Sequence, residues 1–284
     1  IDNITLKINS LDFNIKTNFL FIGFIESKNN FNKLCGLGTR ETLCLNEKID
    51  RVSQKKFNQA MDNIISNNKI REIKHHDYLF KNELDLFSVY LMNKNPKISL
   101  YFNTIIDLSQ SEKSLRTNLR KSYKALTSEQ KLKKTTIFNY ENISEKIIRL
   151  FKTQHISNAG FQTRSDESWW SQFNAVCSNE AFIVADIKND IFCSFGFYLM
   201  DNQTCYYASS SKVLSDQIGF HSNLWAAIMY AKKCGLKWFD IGTRYFSHQG
   251  IDQKNLQISH FKNGFSEETK LSCQISCCIK DNID

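Results

Sequence analysis

The stretch "NLWAAIMYAKKCGLKWFDIG", residues 223 to 242, decides the fold of the second half of the chain. Its first twelve residues read as a helix, which Ser222 would cap and which would end at Gly235. The strand "KWFDIG" follows directly, and the strand "TCYYASSS" precedes the helix. Since a strand, a helix and a second strand in this order join parallel neighbours of one sheet, we predict a parallel crossover here.

Three strands lead into this crossover. "AFIVADIK", "IFCSFGFYLM" and "TCYYASSS" are separated by the turn pairs Asn189-Asp190 and Asp201-Asn202, which predicts antiparallel hairpins. A short strand and two helices are expected before them, and a short helix or turn and the strand "TKLSCQISCCIK" after the crossover. The order β-α-α-β-β-β-α-β-α-β predicts an α/β (α+β) fold with a mixed central sheet and helices on both faces.

The first hundred residues alternate between strand and helix patterns. We predict strands over 19–26 and 84–92, a helix over 52–67, and a turn rather than a phosphate loop at "CGLGTRETL". A strand over 99–109 and a basic amphipathic helix over 111–130 follow. Because 284 residues approach the size at which one core divides, we predict two lobes, residues 1–130 and 131–284.

The composition is that of an ordinary soluble protein, with 42% hydrophobic and 23% charged residues. The sequence has no apolar run of membrane-spanning length, and its start lacks the pattern of a signal peptide. We therefore expect a cytoplasmic protein without a membrane span. The nine cysteines lack C-x-x-C or paired histidine spacing, so we expect reduced thiols and no metal site.

Basic residues are concentrated in "KSLRTNLRKSYKALTSEQKLKK", residues 113 to 134. The segment has eight basic residues and one acidic residue, Glu129, in a chain whose formal net charge is +8. Such clustering favours an anionic partner such as a phosphate, a nucleotide or RNA. The alternative is a solvated helix face.

Three motifs together resemble the GNAT acyltransferase fold, and more closely the FemAB-like (Fem-type) aminoacyl and acyl transferases built from two GNAT lobes. They are the strand and basic helix "IDLSQSEKSLRTNLRKSYKAL", the crossover "LWAAIMYAKKCGLKWFDIG", and "ISHFKNGF", which is similar to the family's F-K-x-G-F motif. They span roughly residues 99 to 270. The resemblance implies tandem GNAT-like lobes, the first of them degenerate.

The resemblance implies either acyl-CoA or an aminoacyl-tRNA as the donor. GNAT enzymes that use acyl-CoA hold its pyrophosphate on a glycine-rich loop at a helix start. Here that place reads "SDQIGFHSNLW", where Asp216 and His221 flank Gly219. Since an aspartate repels pyrophosphate, the loop weakens the case for acyl-CoA and favours aminoacyl-tRNA.

Two residues are candidates for the central chemistry. Acyl transfer to an amine passes through an oxyanion that must be stabilised, and the resemblance places Lys262 of the F-K-x-G-F motif near the reacting carbonyl. Asp240 lies within the strand "KWFDIG", where a carboxylate is costly unless it is paired or used. We interpret Asp240 as a general base or as the structural partner of Arg244.

Further site residues are expected around these two. His221 is a candidate base at a helix start. The remaining candidates would bind the substrate, the basic ones through its phosphates: Arg116, Arg120, Lys121, Tyr206, Tyr207 and Arg244.

These observations predict an N-acyltransferase of polysaccharide or cell-envelope biosynthesis that acts by direct attack, without a metal. Its acceptor would be an amine of a phosphorylated envelope precursor, either an amino-sugar nucleotide or a peptidoglycan peptide. Two alternatives stay open: an acyl-CoA-dependent acetyltransferase of a small molecule or protein, and a non-catalytic RNA-binding module with a GNAT-like fold.

Overall fold

The computed structural model describes residues 4–8, 19–28, 31–35, 42–45, 51–78, 84, 86–132, 134–201, 203–213, 220–247 and 250–279. The strands are β1 (Ile4–Ile8), β2 (Phe19–Lys28), β3 (Phe31–Cys35), β4 (Thr42–Leu45), β5 (Ile70–Tyr78), β6 (Lys97–Asp107), β7 (Thr135–Phe138), β8 (Ala181–Lys188), β9 (Ile191–Met200), β10 (Thr204–Lys212), β11 (Trp238–Arg244) and β12 (Thr269–Cys278). The helices are α1 (Arg51–Asn67), α2 (Leu86–Met92), α3 (Glu112–Asn118), α4 (Lys121–Leu126), α5 (Glu129–Leu132), α6 (Glu145–Ala159), α7 (Asp166–Cys177), α8 (His221–Lys233) and α9 (Gln253–Asn263).

The chain forms two compact units. One comprises Ile1–Phe102 with Lys270–Asp284, and the other comprises Asn103–Thr269. The basic segment belongs to the second unit, because Leu115, Leu119 and Tyr123 pack in one hydrophobic cluster with Trp225. This division differs from the predicted boundary after residue 130.

The first unit has a mixed sheet. Its strand order is β1-β2-β3-β5-β12-β6, and β4 pairs with β2. The pair β3 and β5 is parallel, whereas β2 and β3 are antiparallel, as are β5 and β12. Helix α1 contributes Phe57 and Met61 to the core of this unit.

The prediction of a strand over 84–92 was wrong. Residues Leu86–Met92 form helix α2 and bury Leu86, Phe87, Tyr90 and Leu91. These positions repeat at the helical spacing of about four residues. A short apolar run fits a buried strand or a buried helix equally well, and here tertiary packing selects the helix.

The second unit confirms the predicted order of elements. From β11 to β7 the strands follow the order β11-β10-β9-β8-β7, with β6 beside β11. The crossover pair β10 and β11 is parallel, and β8, β9 and β10 form antiparallel hairpins.

Helices cover both faces of this sheet. Along β8, Phe182 and Val184 pack in the cluster that contains α8, whereas Ile183 and Ala185 pack in the cluster that contains α6 and α7. Alternating residues of one strand therefore reach different layers, as the period of a strand requires. The predicted fold class, a mixed sheet flanked by helices in each lobe, is confirmed.

The basic helix over 111–130 is broken into α3, α4 and α5. Leu119 (φ −65°, ψ 140°) and Arg120 (φ −50°, ψ 140°) have extended ψ values between α3 and α4. The Arg120 backbone N–H donates to the Gly264 carbonyl oxygen at 2.9 Å, outside any helix. This long-range hydrogen bond replaces one that the helix would otherwise make. The spacing of apolar residues along the sequence gives no sign of such a bond.

Helix α8 begins two residues earlier than predicted. Its N-cap position is Phe220, and no side chain caps it. Ser222 therefore does not cap this helix; its hydroxyl instead donates to the buried Asp186 carboxylate at 3.2 Å.

Within the ranges given above, no helix is long and apolar enough to cross a membrane.

Candidate functional site

Lys262 lies in the last turn of α9 and is half-buried. Its amine donates a hydrogen bond to the Thr243 carbonyl oxygen of β11 at 2.8 Å. Burial lowers the pKa of Lys262 to about 8, and the negative charge of Asp240 partly opposes this shift. At pH 7 the amine is therefore mostly protonated, with a pKa close enough to neutrality for proton exchange.

Gly242 leaves the space that the Lys262 amine occupies. A Cβ atom at position 242 would lie 3.1 Å from the Lys262 Nζ atom, and the glycine has a φ of +94°. Both the contact and the backbone angle disfavour a larger residue. The glycine of the "KWFDIG" motif thus leaves room for the lysine amine of the F-K-x-G-F motif.

Asp240 is buried, with 5% of its surface exposed. Its carboxylate accepts the side-chain amide of Asn103 at 3.1 Å and the Gly242 backbone N–H at 2.6 Å. Arg244 donates instead to the Glu267 carbonyl oxygen at 3.1 Å, and its guanidinium lies over the Phe246 ring. The expected pairing of Asp240 with Arg244 is therefore wrong, because Arg244 reaches a neighbouring turn.

The parallel pairing of β10 and β11 ends where Tyr206 lies opposite Asp240. Both strands continue, to Lys212 and Arg244, and the register between β10 and β9 shifts between Tyr207 and Ser209. Beyond Asp240 the two strands are no longer paired with each other. Lys262 contacts the β11 backbone beyond the end of the β10 pairing, at the Thr243 carbonyl oxygen.

His221 lies in an aromatic cluster. Its ring contacts Tyr123 edge-on at 4.2 Å between centroids, Phe261 at 5.1 Å and Phe265 at 6.1 Å. Burial first, and the nearby charge of Arg120 second, lower the pKa of His221 to about 4. The imidazole is neutral at pH 7, and its buried Nδ1 has no hydrogen-bond partner within the described part of the chain.

Gly264, the glycine of the F-K-x-G-F motif, makes room for Tyr123. A Cβ atom at position 264 would lie only 2.0 Å from a ring carbon of Tyr123. The Tyr123 hydroxyl also donates to the Phe261 carbonyl oxygen at 3.2 Å. The basic segment and the F-K-x-G-F motif therefore pack against each other directly.

Arg120 strengthens the same contact. Its guanidinium lies 2.8 Å from the His260 ring Nε2 atom, donates to the His260 carbonyl oxygen at 3.1 Å, and covers the Tyr123 ring. Arg116 does not join this group; it donates to the carbonyl oxygens of Lys124 and Thr127 and so braces α3 against α4 and the turn after it. Lys121 is exposed.

The two tyrosines of β10 have local hydroxyl partners. Tyr206 donates to the Asp201 carboxylate, and its ring is buried. The Tyr207 hydroxyl bonds to that of Ser210, and the Tyr207 ring packs against Phe220.

The loop that holds Asp216 and Gly219 lies outside the described residues, so the predicted departure from a pyrophosphate loop stays a prediction.

Sequence reasoning missed Asn103, which holds Asp240, and a second buried carboxylate, Asp186. Desolvation raises the pKa of Asp186 to about 6, although hydrogen bonds from Ser194, Ser222 and Asn223 oppose the shift. The only signal for Asn103 in the sequence was its position as a single asparagine within the apolar run of β6.

Among the described residues, no cluster of three or more His, Cys, Asp or Glu side chains is arranged to hold a metal ion.

No protein-family model matches the chain, and a search of curated proteins finds no match. Solved structures do match. FemX has a TM-score of 0.63 at 12% identity, and the match covers 98% of this chain and 88% of FemX. L-PGS from Bacillus licheniformis has a TM-score of 0.59 at 12% identity, and the match covers 99% of this chain and 86% of L-PGS. The chain therefore has the fold of FemX, which agrees with the resemblance to FemAB-like, GNAT-superfamily transferases that its three motifs carry.

Proposed function

We propose that this chain is an N-acyltransferase that moves an acyl or aminoacyl group onto an amine of a phosphorylated cell-envelope precursor. The observation that carries the proposal is the buried, cationic amine of Lys262 beside Asp240. A buried lysine whose pKa is lowered toward neutrality is a recurrent feature of functional sites. The similarity of the fold to that of FemX supports the proposal.

Lys262 would stabilise the oxyanion. A lysine has three N–H donors, and the structure describes one acceptor for them, the Thr243 carbonyl oxygen. In this proposal another donor of the same amine would bind a substrate oxygen. Because burial removes competing water, an ammonium placed at a developing negative charge is worth more than it would be in solution.

The reaction would proceed by direct attack. The amine nitrogen of the acceptor forms a bond to the donor carbonyl carbon, and the carbonyl oxygen gains the negative charge. The C–O bond of an aminoacyl ester or the C–S bond of a thioester then breaks, and the leaving oxygen or sulfur takes a proton. The proton lost by the attacking amine would pass to Asp240, and the leaving atom would take it from there. His221 is given no proton transfer in this proposal, because its ring packs among Tyr123, Phe261 and Phe265.

The proposed acceptor is an amino-sugar nucleotide or a peptidoglycan peptide. The proposed donor is an aminoacyl-tRNA or acyl-CoA, and no metal takes part. Arg120 and Lys121, at the break in the basic segment, would bind the acceptor's phosphates, and Tyr207 and Arg244 are proposed as further substrate-binding residues. Arg116 has a smaller part in this proposal, because its guanidinium already binds two carbonyl oxygens. The proposed enzyme is cytoplasmic.

The test combines two donors with two acceptors. The purified chain is incubated with labelled aminoacyl-tRNA or acyl-CoA and with a UDP-linked amino sugar or a UDP-linked muramyl peptide. We expect label to appear on one acceptor. Lys262→Met should lower this turnover about 100-fold to 1000-fold, by analogy with the loss of one oxyanion donor, while calorimetry shows acceptor binding retained.

The control is Lys254→Met, which removes an exposed lysine from the same helix and should leave turnover within about twofold of wild type. An absence of turnover in every combination, or full turnover in Lys262→Met, would contradict the proposal. Transfer from acyl-CoA alone would identify the donor as a thioester. RNA binding without any transfer would support the non-catalytic alternative.

A further inference from the structure

A cavity in the second unit is lined in part by Phe265, which also contacts His221 in the aromatic cluster. Its volume is about 240 Å³, and its polar lining includes Asp107, Glu267, Glu268, Gln110 and Asn118. This is the volume of roughly eight water molecules in the liquid, so a small organic group fits. Asp107 comes from the end of β6, and the two glutamates follow the turn after Lys262.

The charge of this lining is opposite to that of the whole chain. Three carboxylates contribute, and none of the described lining residues is Lys, Arg or His, whereas the chain carries +8. Lys232 and Arg244 are described cations that reach this region through backbone carbonyl oxygens, and their charges offset part of the negative charge of the carboxylates. Lys232 donates to the carbonyl oxygens of Leu108 and Gln110, and Arg244 donates to that of Glu267.

Trp225 provides an independent indication of a ligand. Its side chain lines the cavity, is 1% exposed, and has an indole N–H without a hydrogen-bond acceptor among the residues that the structure describes. A buried donor without an acceptor is destabilising, because it has lost its hydrogen bonds to water. A ligand with an oxygen atom at this depth would remove that destabilisation.

We propose that this cavity binds a protonated primary amine that also carries an oxygen acceptor. The carboxylates would bind the ammonium group, and the indole N–H of Trp225 would bind the oxygen. Carboxylates within a few ångströms raise the pKa of a bound amine and keep it protonated. A protonated amine has no free lone pair for attack, so this site recognises a cation that keeps its charge. It is separate from the place of acyl transfer.

Binding of small probes tests the proposal without requiring turnover. Calorimetry on the full chain compares D-glucosamine with D-glucose, and L-alaninamide with propionamide; the members of each pair differ mainly in the amine. We expect at least one amine to bind, and to bind at least tenfold more tightly than its neutral match. The amine that binds more tightly distinguishes an amino-sugar skeleton from a peptide-like one.

Variants locate the binding. The double variant Asp107→Asn/Glu267→Gln should weaken amine binding at least tenfold, while Glu129→Gln, which neutralises an exposed carboxylate elsewhere in this unit, should not. Thermal unfolding checks that each variant is folded. Lys262→Met should bind the amine as wild type does, which makes this result independent of the proposed transfer.

Four results would overturn the proposal. They are the absence of amine binding, equal binding of amines and their neutral matches, unchanged binding in the folded double variant, and loss of binding in Lys262→Met. The last would place the amine at the lysine site instead.

Discussion

The amine of Lys262 donates to the Thr243 carbonyl oxygen at 2.8 Å. This bond ties the end of α9 to the part of β11 beyond the β10 pairing, and it fixes a buried charge at one point of the site. The state of that charge depends on pH in the neutral to alkaline range, because burial lowers the pKa of Lys262 to about 8.

We expect the proposed transfer to slow above about pH 8. The oxyanion requires the protonated lysine, so kcat should fall about tenfold for each pH unit above the pKa. In Lys262→Arg the guanidinium stays charged throughout this range, and the alkaline fall should disappear even if the absolute rate is lower. The measurement is kcat between pH 6 and pH 10 for both proteins. A wild-type rate that still rises above pH 9 would show that Lys262 does not act as a cation.

Gly242→Ala should separate backbone strain from displacement of the lysine. An alanine at φ +94°, outside the region that L residues favour, costs about 1–3 kcal/mol. Its Cβ atom would also lie 3.1 Å from the Lys262 Nζ atom, which must move by a few tenths of an ångström. Turnover should therefore fall about tenfold or more, because small misplacements of catalytic groups are costly.

The matched control for this variant is Gly235→Ala. Gly235 also has a positive φ, +80°, but a Cβ atom there would meet nothing within 4 Å. Urea unfolding should show destabilisation of both variants, whereas only Gly242→Ala should lose activity. Equal activity in the two folded variants would remove Gly242 from the site.

His221→Phe should make the protein less sensitive to acid. The unfolded chain protonates a histidine below about pH 6.5, whereas the folded protein, in which the pKa is about 4, does not until lower pH. Between these values the unfolded state binds the additional proton, so the wild-type free energy of unfolding falls as pH falls. The phenylalanine variant lacks this contribution. Urea unfolding at several pH values from 7 to 4.5 should therefore show a shallower decline in the variant, and parallel curves would contradict the assignment.

Local pattern was sufficient for the architecture of the second unit. The crossover into β11 and the hairpins of β8, β9 and β10 follow from alternation, turn pairs and a helix-ending glycine, all of which are encoded within a few residues. The same reasoning failed for α2, because five of its seven residues are buried and the helix has no clear solvent face to reveal its period.

The partners of the site residues were beyond local pattern. Asp240 is held by Asn103, which lies 137 residues away along the chain, and the neighbouring Arg244 was the natural but wrong expectation. The basic helix is broken at Arg120, whose backbone N–H donates a hydrogen bond to the Gly264 carbonyl oxygen. The spacing of apolar residues in the sequence could not predict this bond. Tertiary hydrogen bonds thus decide which groups the predicted residues contact. The motifs identified Lys262 and Asp240 as separate candidates, and the structure brings them close enough for their charges to interact.

The contact between Arg120 and His260 has a consequence for tracing distant relatives. The two residues are 140 positions apart, yet they share two hydrogen bonds, and Tyr123 fills the space left by Gly264 beside them. Residues coupled in this way do not change independently, since a substitution at one alters the cost of a substitution at the other. Searches for diverged homologues should therefore score the pairs 120/260 and 123/264 jointly, and correlated replacement at these pairs is the pattern to expect.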